Sequence, residues 1–413
     1  MRITADEVSD ALFTPHEISC ALKMHLLTSL FEPTIASYIA CVGRHRMMVP
    51  SKFLCVFAMT RMIPNTAWLL LLHLRYFYKV ELPILPHLRW NLNDLTDAEC
   101  NKYFRFSHRN IQMLVTKLEF PNLLITPNRD RIMSVEAFCL LLRRLSYPNR
   151  WVDLKDNFGR HPSSMSRILQ CVMNYILLRI KVSLLFYPLN AERLQQYATA
   201  FLQRGVPPII QLFSVIDTKK QQICRPSRHQ RAFYSGHKRM HCVKYQTLEG
   251  PDGLFLHVSP CNDGRRGDGY ILRKSRLQNF LEQNHLFNGY YVLGDSAYPN
   301  NNVMVSIFRG NNLPAAAEAF NRVMCPIRTC VEWGYAKIVR YWAFVDFKKQ
   351  MKVQSGRIEA MWRIAAFLTN AVLCAKGYNQ ISKYFDLSPP TLDQFLDNTM
   401  NAYRNMQINE HEL

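Results

Sequence analysis

The spacing of hydrophobic and polar positions changes character near residue 207. Between residues 86 and 206 the apolar positions recur every three or four residues, which is typical of amphipathic helices. After a Pro-Pro pair, the segments IIQLFSVID, MHCVKYQTLE, GLFLHVSP and YYVLGD are apolar runs or alternate in polarity, and they predict strands. Helical spacing returns in LRKSRLQNFLEQN and in a long segment from PAAAEAF to RYWAF that is predicted to break at Pro326. The predicted fold class is a helical region followed by an α/β domain with a mixed sheet.

Residues 134–176 have the outline of a helix-turn-helix. A helix capped by Ser134 is followed by the short helix WVDLKDNFG, which stops at Gly159, and by a long helix that begins near Pro162. If this segment reads DNA, the polar side chains at the start of the last helix face a groove or its phosphates. These side chains are Ser163, Ser164, Ser166 and Arg167. The alternative interpretation is an ordinary three-helix bundle.

The two ends of the chain carry no recognisable chemistry. The most apolar stretch near the N-terminus lies between Arg61 and Arg75 and is shorter than the roughly 20 residues that a spanning helix needs. A membrane is therefore not expected as a partner. The predicted domains are a helical extension over residues 1–85, a helical domain over 86–206, an α/β domain over 207–397 and an acidic C-terminal tail over 398–413.

The charge balance indicates a polyanionic partner. The chain has 51 Lys and Arg against 31 Asp and Glu, which gives a net charge of +20, and nucleic acid is the commonest partner of such a surplus. A basic protein without such a partner is the alternative. One stretch free of acids holds eight basic residues, with Tyr234 and His237 interleaved as candidates for stacking or for bonds to sugar and phosphate. The eight are Lys219, Lys220, Arg225, Arg228, Arg231, Lys238, Arg239 and Lys244.

Three acids stand at positions that suit a metal site. Asp217 ends one predicted strand and Asp295 ends another, so adjacent strands would bring together two carboxylates that repel each other unless a cation or proton lies between them. Glu332 follows on an aromatic-rich helical segment. Oxygen ligands of this kind suit Mg²⁺ or Mn²⁺, and a pair of such ions activates water at one side of a phosphodiester and stabilises the leaving oxygen at the other. Because acids end many strands, the alternative is that these three are unrelated.

Several ordered motifs resemble those of the PIF/Harbinger transposases and the host nucleases derived from them. They are IDTKKQQICRP, YSGHKRMHCVKYQTLEGPDGL, GRRGDGYILRKSRL, GDSAYP, VEWGYAKI and WAFVDFKKQMKV, with DLTDAECNKYFRF and RRLSYPNRWVDLKDNFGR upstream and NQISKYFDLSPPTLDQFL downstream. The resemblance spans roughly residues 88–397. Residues 1–85 match no family.

The resemblance implies an RNase H-like core in which residues 207–397 form a nuclease domain with a DDE triad. Matched position by position, Asp217, Asp295 and Glu332 are the triad and the ligands of a divalent cation, Mg²⁺ or Mn²⁺. Asp268 falls near the site without a ligand role, and Arg328 supports the helix of Glu332 or meets phosphate.

The chain departs from the family pattern at three places. Thr218 and Lys219 follow Asp217 where Gly-Thr is usual, Gly267 replaces a histidine, and Ser296 stands where proline or another small residue is common. The altered flanks keep open the question of whether activity is retained.

The prediction for function is a metal-dependent DNA endonuclease or transposase-like protein. The alternative is a domesticated DNA-binding or partner-binding protein that keeps the fold and has lost catalysis. The family also implies a Myb-like companion that supplies sequence-specific DNA binding and nuclear entry. The predicted location is the nucleus, with the cytoplasm as the alternative because entry depends on that partner.

Overall fold

The computed structural model describes residues 90–353 and 357–411. All of them belong to one compact unit, residues 84–413. The predicted helical extension over residues 1–85, with its apolar stretch, lies outside the described residues. The predicted boundary at residue 206 falls inside the compact unit, so the division into a helical and a nuclease domain stays a prediction.

Within the described residues, six α-helices and one hairpin precede the sheet. They are α1 Asp97–Phe104, α2 His108–Lys117, β1 Leu123–Ile125, β2 Arg131–Met133, α3 Ser134–Ser146, α4 Trp151–Phe158, α5 Pro162–Leu185 and α6 Ala191–Leu202. Their ends follow from local chemistry. Thr96 and Glu99 form a capping box at the start of α1, and Gly159 ends α4 in the left-handed region at φ 59°, where glycine carries no Cβ penalty.

The prediction that Ser134 caps α3 is wrong. Ser134 is the first residue of that helix, and Met133 precedes it in an extended conformation without a side-chain cap. The Ser134 hydroxyl instead donates to the Pro121 carbonyl. This bond ties the start of α3 to the loop before β1, a tertiary contact that the local sequence does not show.

The second half of the described chain is built on a seven-stranded mixed sheet. Its elements are β3 Gln211–Gln222, α7 Gln230–Phe233, β4 Tyr234–Ser235, β5 Met240–Glu249, β6 Phe255–Val258, β7 Asn262–Asp263, α8 Asp268–Ser275, α9 Leu277–Gln283, β8 Tyr290–Gly294 and β9 Met304–Ser306. The strand order is β4-β5-β3-β8-β9, with β6 and β7 also paired to β5. β3 runs antiparallel to β5 and parallel to β8. The predicted mixed α/β architecture is confirmed, and it is compatible with an RNase H-like domain.

Four helices follow the sheet: α10 Ala315–Tyr341, α11 Ile358–Lys376, α12 Gln380–Phe385 and α13 Leu392–His411. The predicted break at Pro326 is wrong, because α10 continues through this proline. Met324 and Ile327, on either side of it, are fully buried, and this packing holds the helix together. The segment predicted as a tail from residue 398 continues α13, where Met400 and Tyr403 are buried.

Two of the described helices, α5 and α11, are long and apolar enough to pass the criterion for a membrane span. Their most apolar windows are 44% and 78% buried within the fold. Core helices of folded domains meet the same criterion. α11 in particular packs on the sheet, where Trp362 stacks on Tyr245 of β5 at 5.0 Å between ring centroids.

The helices before the sheet and the sheet itself share one hydrophobic core. The Tyr187 N–H, just after α5, donates to the Leu256 carbonyl of β6 at 2.6 Å. The Tyr187 ring stacks on Phe395 of α13 at 5.4 Å. The sheet is thus held between helices from both ends of the described chain, which fixes the strands that carry the candidate site.

Candidate active site

Asp217 and Asp295 lie on neighbouring parallel strands. β3 pairs with β8 in a register that places Val215 opposite Leu293, and continuing this register by two residues brings Asp217 level with Asp295. β8 ends at Gly294, one residue before the predicted end at Asp295, and Asp295 Oδ1 accepts the Ala297 N–H at 2.9 Å. The expected adjacency of the two strands is therefore present.

Asp217 differs from the prediction in one respect. The strand does not end at this acid but continues through Gln222. The added residues are polar, yet they are held by contacts on both faces. Thr218 Oγ1 lies 3.0 Å from the Tyr298 hydroxyl, and the buried Gln221 amide donates to the Val345 carbonyl.

The surroundings of Asp217 disfavour the ionised form of its carboxyl group. Burial raises the pKa of the Asp217 carboxyl above its ordinary value, and the charges of Asp295 and Asp268 raise it further. The Thr218 N–H and the Arg328 guanidinium oppose this effect. Two partly buried carboxylates held this way create a demand for a cation.

Glu332 is not brought into the same cluster. Its side chain is 54% exposed, and its Oε1 lies 3.3 Å from Arg328 Nη2 one helical turn earlier. The face of α10 on which it lies nonetheless points toward Asp217. Tyr335, which shares that face, lies 2.6 Å from Thr247 Oγ1, and Thr247 is the cross-strand partner of Asp217.

The site provides two of the three carboxylate ligands that were predicted for a divalent cation. Asp217 and Asp295 offer the hard carboxylate oxygens that Mg²⁺ and Mn²⁺ prefer. In the described part of the chain, no group of three or more His, Cys, Asp or Glu side chains is placed to hold a metal ion. The third carboxylate of the predicted triad is held by Arg328, so the structure itself brings two acids together.

Two residues that support the site were not predicted. The buried Tyr298 hydroxyl bridges Thr218 and Gln246, with Gln246 Nε2 at 3.4 Å, and burial raises its pKa. Tyr335 ties α10 to β5. The spacing of Tyr335, three residues after Glu332, was the available signal, since both then lie on one face of a helix.

Asp268 begins α8 beside the acid pair. Gly269, the next residue, has its Cβ position 3.6 Å from the carbonyl of Ala297, in the loop that holds Asp295. Lys244 Nζ lies 3.3 Å from Asp268 Oδ1, and the Lys244 side chain is only 7% exposed. Lys244 is therefore buried in an ion pair, and it does not line a surface path for nucleic acid as predicted.

The remaining basic residues of this stretch are mostly at the surface. Five of the eight are exposed: Arg225, Arg228, Arg231, Lys238 and Arg239. Lys219 lies on β3 with its Nζ 5.6 Å from the centre of the Tyr335 ring. A positively charged surface thus extends from the acid pair along β3 and the segment that follows it.

Two of the four groove-facing candidates in the predicted helix-turn-helix segment are engaged within the fold. Arg167 forms an ion pair with Asp130 at 2.7 Å, and Ser164 Oγ donates to the same carboxylate at 2.8 Å. These contacts hold the pKa of Asp130 below its ordinary value, with Arg167 as the largest cause. They attach α5 to the β1–β2 loop.

Comparison with known proteins gives one match. Residues 216–370 match the family model described as DDE superfamily endonuclease. This range begins one residue before Asp217 and contains Asp295 and Glu332. No curated protein and no solved structure matches the chain significantly. The match supports placing the chain in the DDE superfamily, and it is consistent with a nuclease.

Proposed function

We propose that this protein is a metal-dependent DNA endonuclease of the PIF/Harbinger type, derived from a transposase. The observation that carries the proposal is the placement of Asp217 on β3 and of Asp295 directly after the adjacent parallel strand β8, inside the region that matches the DDE endonuclease model. The raised pKa of Asp217 adds a demand for positive charge at this point. A phosphodiester held beside these acids would be the substrate.

In this proposal Asp217 and Asp295 hold a divalent cation, Mg²⁺ or Mn²⁺, and Glu332 completes the set. When bound there, the cation would supply an activated water and would stabilise the negative charge that develops on the phosphate. Glu332 reaches the pair by leaving Arg328 through a change of side-chain rotamer, because α10 already presents this face to Asp217. Arg328, once released, faces the phosphate.

DNA is the proposed substrate because the surface next to the acids is basic. Neutralisation of phosphates by lysine and arginine supplies most of the sequence-independent affinity for DNA. We further propose nuclear action with a Myb-like companion that supplies sequence recognition and entry to the nucleus. The helices before the sheet would contribute to DNA binding.

A second function is favoured by one observation. Glu332 is held by Arg328 and lies apart from the other two acids, so a protein that keeps the fold and binds DNA or a partner without cleaving it has the same arrangement. The alternative is separated from the first proposal by a cleavage assay.

Incubation of supercoiled plasmid with the purified protein and Mg²⁺ or Mn²⁺ tests the proposal. We expect nicking by the wild type, alone or with a companion, and a loss of at least about 100-fold in Asp217→Ala and Asp295→Ala, since each removes a cation ligand. Glu282→Gln, which neutralises an exposed acid on α9, is the control. Nicking that persists in both alanine variants would refute the triad, and a wild type that binds DNA without nicking favours the non-catalytic alternative.

A further inference from the structure

A shallow open depression lies at the edge of the sheet beyond the acid pair. It measures about 510 Å³ and is lined by Gln230, Arg231, Tyr234, Gly236, His241 and Arg265. We call it the Tyr234 surface. The volume is that of a site for a small flat group, and pockets for small molecules commonly measure ~300–1,000 Å³.

The Tyr234 ring at the centre of this surface is partly exposed to solvent and contacts a second ring. Tyr234 is 41% exposed, although it belongs to a strand that is paired to β5. Its cross-strand partner is His241, whose ring packs edge-on against it at 5.3 Å and 63°. The Tyr234 ring is thus in contact with the His241 ring and remains partly exposed, which leaves an aromatic surface for a planar ligand.

The polar groups around the ring are positioned by the fold. The Arg265 N–H donates to the Ala232 carbonyl of α7 at 3.0 Å. The preceding Gly264 is packed so closely that a Cβ there would lie 2.6 Å from the Phe233 carbonyl. Arg225 Nε donates to Gln230 Oε1 at 3.0 Å. The backbone of Arg265 and the side chain of Gln230 are therefore held beside Tyr234 before any ligand arrives.

The Tyr234 surface is close to the acid pair. Arg265 lies three residues before Asp268, so their Cα atoms are no more than about 11 Å apart. Asp268 in turn adjoins the loop of Asp295 through Gly269. Between them, Arg266 is exposed and its guanidinium lies 4.4 Å from the centre of the Tyr270 ring. The exposed Arg265 and Arg266 thus lie in the segment between the acids and Tyr234, where Arg266 also pairs with Asp263 at 3.8 Å.

This combination is the one that binds single-stranded nucleic acid. A cationic surface tracks the backbone while aromatic side chains stack on bases whose faces are free, which requires that the bases are unpaired. In a duplex each base already stacks on its neighbours. An exposed tyrosine therefore finds no free base face on which to stack. We propose that the Tyr234 surface binds the unpaired DNA strand that leaves the acid pair, with one base stacked on Tyr234 and the backbone on Arg231 and Arg265. This inference rests on the proposed function as a DNA nuclease.

Fluorescence anisotropy in EDTA tests the inference without cleavage. The full chain is titrated against a blunt 20-base-pair duplex and against the same duplex with an unpaired tail of eight nucleotides. We expect tighter binding of the tailed DNA by the wild type. Tyr234→Ala removes this preference, with a loss of roughly 5- to 100-fold on tailed DNA because stacking is lost, and it leaves blunt duplex unchanged. Tyr234→Phe retains the preference.

Two further variants complete the design. Arg265→Ala lowers the affinity for tailed DNA and reduces the slope of log affinity against log salt by about one. Tyr378→Ala, which removes a tyrosine that is 57% exposed on another part of the surface, leaves binding unchanged. The melting temperature of each variant confirms that it is folded.

The outcomes separate the inference from the function on which it rests. Equal loss on blunt and tailed DNA in Tyr234→Ala, or a tail preference that persists in it, overturns the inference. So does tighter binding of an RNA tail of the same sequence than of the DNA tail. If the wild type binds neither DNA while it is folded, the proposed function itself is refuted.

Discussion

At the scale of single residues, the ionised carboxyl group of Asp217 lowers the stability of the folded protein. It lies in the middle of β3 rather than at its end, partly buried beside Asp295 and Asp268, and this environment raises its pKa. An acid with a raised pKa binds more protons in the folded state than in the unfolded state, so stability falls as pH rises through the interval between the two pKa values. A loss of folding stability of this kind is expected at an active site, where the charged group is needed for function.

Asp217→Asn is therefore expected to stabilise the protein in the absence of metal. In EDTA at pH 7 to 8 the melting temperature should rise by roughly 1–3 °C, because the unfavourable charge is gone. The difference should vanish below about pH 4, where the unfolded carboxyl is also protonated. Differential scanning fluorimetry across this pH range measures it. Asp156→Asn should show no such trend, and a variant less stable than the wild type at every pH would contradict the account.

At the scale of elements, α10 approaches the sheet most closely where a glycine of the helix meets a glutamate of β5. Gly334 lies against Glu249 of β5, and a Cβ at Gly334 would collide with the carboxylate oxygens and lie 2.6 Å from Glu249 Cδ. Glu249 is buried, and neither of its oxygens has a hydrogen-bond partner. Burial raises the pKa of Glu249 well above its ordinary value, opposed by the charge of Lys337. A buried carboxyl group without hydrogen-bond partners thus packs under the helix that carries Glu332.

Gly334→Ala is expected to lower the free energy of unfolding by about 1–3 kcal/mol, the usual cost of overpacking. Denaturant unfolding measures this change. Adding Glu249→Ala should recover part of the loss, because it removes the group that the new methyl meets. Gly236→Ala is the matched control, since nothing lies within 4 Å of its Cβ position. Equal stability of Gly334→Ala and Gly236→Ala would show that the contact is absent.

Some strands could be predicted from the sequence alone, and other features of the strands and helices could not. Apolar runs predicted β3 and β8, and the end of β8 was predicted to within one residue. The extension of β3 past Asp217 was not predicted, because TKKQQ has no strand pattern and is held by Tyr298 and Val345 from distant parts of the chain. Strand preference depends on such neighbours more than on the residues themselves. The continuity of α10 through Pro326 was missed for the same reason.

At the scale of the whole molecule, the order of the acids was predictable and their convergence only in part. Motif order placed Asp217, Asp295 and Glu332 in one region, and the sheet brings the first two together. The orientation of the Glu332 side chain was not predictable, since it is set by its bond to Arg328. The burial of Lys244 was equally hidden, because its partner Asp268 lies on a different element. The net charge of the sequence predicted nucleic acid as a partner. The packing of the fold determines which basic side chains are exposed to contact it.

The central claim is that Asp217 and Asp295 together hold a divalent cation. Titration of the metal-free protein with Mn²⁺ by calorimetry tests it most directly, without depending on a DNA target or a companion protein. We expect binding by the wild type, a loss of at least about tenfold in affinity in both Asp217→Asn and Asp295→Asn, and no change in Asp156→Asn. A wild type that binds no Mn²⁺, or asparagine variants that bind it as tightly as the wild type, would contradict the claim.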